Sequence, residues 1–142
     1  MATITEDYVS FEIAKLLKEK GFNEPCYGSY CRIFADDEGE DERVEFERWI
    51  EKSHNNSFVD EYFICSAPTI QMAMKWLREK HYCHIVIDYT FKADANLSEE
   101  YVSYCYSVEN AKTYIQYIPN EWYSTYEQAC EAAIKYCLKH LI

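Results

Sequence analysis

His81, Tyr82, Cys83 and His84 form the only cluster of metal-ligating residue types in the chain. A structural or catalytic zinc needs three or four such ligands converging on one point. If the segment is a strand, Cys83 and His84 point to opposite faces, so at most His84 and one distant residue can cooperate. No metal is expected. Cys26 and Cys31 flank Tyr27-Gly28-Ser29-Tyr30, too wide for the usual two-residue metal knuckle, and no close cysteine pair repeats elsewhere. A cysteine nucleophile would need His54, His81 or His140 within hydrogen-bond reach of Cys83 or another thiol, with an acid behind it. The spacing assembles no such group, and there is no strained Gly-x-nucleophile-x-Gly turn. Carboxylates crowd Glu99-Glu100 and the run from Asp36 to Glu42, but solvated carboxylates are poor general acids near neutrality. In that run Gly39 is fourth from Asp36 rather than sixth, which fails the calcium-loop pattern. Glycines at 21, 28 and 39 alone cannot build a phosphate loop. The balance runs against catalysis and against a cofactor.

What remains is a surface. From His84 to Phe91 the chain reads as a strand, with Ile85, Ile87, Tyr89 and Phe91 on one face and His84, Val86, Asp88 and Thr90 on the other. Tyr101 to Val108 and Thr113 to Ile118 read as a hairpin around a two-residue Asn110-Ala111 loop. That register puts Val102, Tyr104, Tyr106 and Val108 with Thr113, Ile115 and Tyr117. The opposite side holds Tyr101, Ser103, Cys105 and Ser107 with Tyr114, Gln116 and Ile118. The candidate ligand-binding or interface residues are therefore His84, Asp88, Ser103, Ser107, Tyr114 and Gln116. Tyrosine rings there would stack on a planar group while hydroxyls and amides orient it.

The remaining elements must position that face. A first helix is expected from Ser10 to Lys20, with Val9, Ile13, Leu16 and Leu17 at helical spacing and Gly21 as the stop. A strand from Tyr27 to Ala35 leads through the acidic turn to Arg43–Ile50, read as a hairpin partner although Phe46, Trp49 and Ile50 also fit one helical face. Ser53 to Asp60 reads as a loop, and 43–66 is otherwise unassigned. A second helix starts near Pro68 and ends near Lys80, with Ile70, Ala73, Met74 and Leu77 as its stripe and Trp76 beside it. Ala93 to Glu100 is a polar connection. In the last helix Ser124-Thr125-Tyr126-Glu127 reads as a capping box, and Tyr126, Ala129, Cys130, Ala133, Ile134, Cys137, Leu138 and Leu141 form the apolar stripe. The expectation is a single α+β domain over 1–142, with two or three helices packed on a largely antiparallel sheet of four or five strands.

Composition narrows the partners. Against 25 Asp and Glu stand 14 Lys and Arg, a net charge of −11, which disfavours direct contact with nucleic acid or an anionic membrane. Six of the 25 acids lie between Asp36 and Glu42, so the charge is one dense turn on an ordinary acidic background. No apolar run reaches the about 20 residues of a membrane helix. Seven cysteines, an odd number, and the polar start Ala2-Thr3-Ile4-Thr5-Glu6-Asp7 point to reduced thiols in the cytoplasm. Fourteen tyrosines suit half-buried sheets, oligomer interfaces and planar-ligand pockets alike.

Ser66-Ala67-Pro68-Thr69-Ile70-Gln71-Met72-Ala73-Met74-Lys75-Trp76-Leu77-Arg78-Glu79, the strand His84-Ile85-Val86-Ile87 and the closing stretch from Thr125 to Leu138 carry a resemblance. Together, roughly a third of the chain, they resemble short uncharacterised proteins encoded by phages and prophages of gut Bacteroidetes. The resemblance implies a cytosolic accessory protein made in a bacterial host and assigns no activity or site residue. The expected function is a non-catalytic, homodimeric or larger homo-oligomeric protein that binds a small ligand, such as a nucleotide-type host signal, or a host protein. Two alternatives stand beside it: an acidic mimic of nucleic acid that occupies a basic host protein, and a small Cys/His-dependent enzyme.

Overall fold

A computed structural model describes residues 3–34, 42–56, 61–93 and 100–142, and the chain separates into two compact units, 1–72 and 73–142. In the first unit, Ser10 caps helix α1 (Phe11–Glu19), its hydroxyl accepting from the Ile13 N–H at 3.4 Å. Ile13, Ala14 and Leu17 are the buried stripe. At the other end Gly21 adopts φ +90°, so its N–H reaches the Lys18 carbonyl and the Phe22 N–H reaches that of Leu17. This Schellman closure turns Phe22 into the core beside Leu17. The glycine stop read from the sequence thus has its physical cause in the left-handed turn.

Three antiparallel strands follow, β1 (Cys26–Phe34), β2 (Glu42–Ser53) and β3 (Phe63–Ala67), in the order β2-β1-β3. Strand pairing therefore wins over the helical reading of Phe46, Trp49 and Ile50. Helix α1 packs on β3. One face gathers Tyr8, Phe11, Tyr30 and Phe46, with ring centroids 4.9–5.6 Å apart, and the Tyr30 hydroxyl donates to the Val9 carbonyl. Gly28 is required here by space: a Cβ would lie 2.6 Å from the Ala67 oxygen, 2.7 Å from Tyr8 and 2.8 Å from Phe46. The Asn-rich stretch after β2 ties the unit together. Asn55 donates to the Phe22 carbonyl and accepts from the Ser66 N–H, while Asn23 pairs with His54 and the Asn56 N–H.

Helix α2 (Ile70–His81) begins where the first unit ends, with Thr69 accepting from the Met72 N–H. Its expected stripe, Ile70, Ala73, Met74 and Leu77, is buried, and so is Trp76. In the second unit, β4 (Cys83–Ala93), β5 (Glu100–Asn110) and the short β6 (Gln116–Tyr117) form an antiparallel sheet in that order. Helix α3 (Tyr126–Tyr136) packs on β4 and β5 and continues as one π-helical turn over Cys137–Leu141. Its buried side chains are Ala129, Cys130, Ala133, Ile134, Cys137 and Leu138, the middle of the expected stripe, while Tyr126 and Leu141 at its ends are exposed and half-buried.

The class is α+β, but the sheet is divided: two three-stranded sheets stand where one of four or five strands was expected. The sixth strand, absent from the sequence reading, is β3, whose five residues are too few for alternation to register. The α3 cap also shifts by one residue. Thr125 rather than Ser124 is the cap: it is extended and accepts from the Gln128 N–H at 3.1 Å, while the Ser124 hydroxyl donates to the Gln128 side chain. The acidic stretch 36–41 and the connection 94–99 lie outside the described residues.

Candidate functional site

The β4–β5 register pairs His84 with Glu109, Val86 with Ser107, Asp88 with Cys105 and Thr90 with Ser103. Directly opposed residues share a face, so His84, Asp88, Ser103 and Ser107 lie on one face, spread along the strand pair. Gln116 pairs with Glu109 and joins them. His84, Asp88 and Gln116 are exposed, and Ser103 and Ser107 half-buried. Tyr114 does not belong to this face. The expected Asn110-Ala111 loop is instead a wider turn, in which the Asn110 side chain accepts from the N–H groups of Lys112 and Thr113 and its own N–H donates to the Ile115 carbonyl. That local bonding outcompetes a tight hairpin and leaves Tyr114 at φ +61° and 83% exposed.

Of the rings expected on this face, Tyr114 has left it and the Tyr101 side chain lies outside the described residues; the rings of the opposite face are engaged in packing, as their side of the register implies. Tyr106 and Tyr117 share the opposite face, where Tyr117 stacks on Tyr136 of α3 at 3.8 Å and 2° between planes. Tyr106 also contacts Tyr123, and Tyr104 meets Tyr126 edge-on. Burial holds the Tyr106 hydroxyl well above its usual pKa and pushes Tyr123 up to about 12, helped there by its hydrogen bond to Glu121. The tyrosines of the second unit are thus mostly its packing material.

Nor does the face assemble a nucleophile. Cys105 opposes Asp88, but His84 is four residues along the strand, about 13 Å away at the usual rise, beyond hydrogen-bond reach. Cys83 and Cys137 are fully buried. A hydrogen bond from Cys137 favours the Cys83 thiolate and lowers its pKa against the effect of burial, while donating that bond and burial raise Cys137. With no exposed sulfur, this pair works as packing. Among the described residues no group of three His, Cys, Asp or Glu is placed to hold a metal, and no helix is long and apolar enough to cross a membrane.

A concave site lies in the first unit, where the sequence reading placed none. A cleft of about 260 Å³ opens between the start of β1, the end of β2 and the turn into α2. Its walls include Tyr8, Tyr27, Arg48, Lys52, Thr69 and Glu6. The Lys52 ammonium sits 5.1 Å, and the Arg48 guanidinium 6.0 Å, from the centroid of the Tyr27 ring. Neither cation is ion-paired among the described residues. The irregularity in β1–β2 pairing between Cys26 and Gly28 brings these groups together: Gly28 opposes Arg48, but Cys26 opposes Ser53, so extra β2 residues bow out beside Tyr27. No alternation pattern announces such a bulge, which is why sequence reading missed it. A second cleft of about 270 Å³, at the β6 end of the other unit, is lined by Gln116, Tyr117, Tyr136 and His140 and carries no Lys or Arg.

No protein-family model, no curated protein and no solved structure matches this chain.

Proposed function

We propose that this is a non-catalytic accessory protein of phage origin that binds a small ligand in the bacterial cytoplasm, and that the cleft of the first unit is its binding site. One observation carries the reading: a concave site in which two cations, not ion-paired among the described residues, are held against an aromatic ring. Pockets for small molecules combine apolar walls with a few placed polar groups, and this cleft has both. The test is native mass spectrometry of the protein purified from a host cell lysate, beside a Met72→Trp variant that fills the cleft from its half-exposed wall. A bound small molecule present in the parent and absent from the variant is expected. The same adduct on both proteins would move the site elsewhere.

A second reading concerns self-association. The β4–β5 strand pair exposes Tyr89 and Phe91, at 71% and 56%, with Val102 opposite Phe91. Exposed apolar groups on a long strand pair favour contact with a second copy. Light scattering is expected to report a dimer or larger assembly that Phe91→Glu dissociates; a monomeric parent protein would end this reading.

A further inference from the structure

We propose that the cleft selects a planar phosphomonoester of mononucleotide size, with the phosphate on Arg48 and Lys52 and the ring between the tyrosine walls. This rests on the cleft being the binding site and names the chemistry it takes. Charge gives the first argument. In a chain of net charge −11, Arg48 and Lys52 converge on one cleft without being ion-paired among the described residues. Both lie against Tyr27, whose ring holds two otherwise flexible side chains in place. A phosphate then meets donors already positioned, one a planar guanidinium fork and one an ammonium, with less ordering left to be done on binding.

Size and wall chemistry give the second argument. A volume of about 260 Å³ lies just below the usual range for small-molecule sites, which suits one nucleoside monophosphate with part of it in solvent and leaves no room for a dinucleotide. Tyr8 and Tyr27 supply ring surface. Gly28 lets the Tyr8 ring lie close over β1, since any Cβ there would strike it. Glu6 on the rim repels a second anionic group and accepts from an N–H, such as the exocyclic amine of a base.

Titration calorimetry with AMP, adenosine and inorganic phosphate separates the contributions. AMP is expected to bind about tenfold or more tightly than either of the others, and Arg48→Gln and Lys52→Gln are each expected to weaken AMP about tenfold, the usual loss for a charge-assisted contact, without changing adenosine binding. Both side chains are exposed, so circular dichroism should show both variants folded. Equal affinity for AMP and adenosine would overturn the phosphate role, equal affinity for AMP and phosphate the ring role, and unchanged AMP binding in the double variant the site itself. If these fail while the Met72→Trp variant still loses a ligand carried from the lysate, the cleft stands as a binding site and only this ligand class falls.

Discussion

Two residues with unusual backbone or spatial demands carry opposite consequences. Gly28 has no room for a methyl group, its nearest obstacle being the Ala67 carbonyl rather than a flexible side-chain tip. Gly28→Ala is expected to cost about 1–3 kcal/mol, the usual range for overpacking, read as a lower midpoint in urea. It should also weaken ligand binding, because Tyr8 must move. Tyr114 is the converse: a non-glycine at φ +61° whose ring is solvated. Asparagine tolerates that region better, so Tyr114→Asn is expected to raise stability by about 0.5–1 kcal/mol in the same assay. Neither property was visible in the residue types alone. A glycine and a tyrosine reveal such constraints only once their neighbours and dihedral angles are fixed.

At the level of elements, the helices were the most readable. Their stripes follow a 3.6-residue period, and burial agrees with it at Val9, Ile13 and Leu17, at Ala73, Met74 and Leu77, and from Ala129 to Leu138, while in α1 Ala14 is buried and Leu16 only half-buried. Cap positions are less certain from sequence because adjacent hydroxyls compete. Thr125 is the α3 cap, so Thr125→Ala is expected to cost about 1 kcal/mol by chemical denaturation and Ser124→Ala clearly less; the reverse order would restore the sequence assignment. Strands were legible where they alternate, as in β4 and β5, whose faces divide as read. They were not legible at β3, or at the β6 turn, where Asn110 satisfies the backbone locally and delays pairing until Gln116.

Across the whole molecule, buried thiols contribute to the loss of stability at alkaline pH. All seven cysteines are free, and six are buried. Burial pushes Cys26, Cys65 and Cys130 up to about 11 from a usual value of 9.0. The folded state therefore holds protons that the unfolded state releases first. The stability due to these neutral thiols is complete below about pH 9 and is lost as pH rises through about 11. Melting temperatures in reductant are expected to fall across that window, and a thiol reagent at neutral pH to modify Cys105 well before the other six. Sequence by itself determined the acidic charge, the helices, the α+β class and the two-faced division within β4 and within β5, because these follow from composition and local periodicity; the β4–β5 register then decided that His84 and Asp88 share the face of Ser103 and Ser107. Only the tertiary structure decided that the strands divide into two sheets, that most tyrosines of the second unit pack against one another, and that Arg48 and Lys52 meet at Tyr27. Those outcomes depend on long-range pairing and on one bulge, which no local pattern encodes.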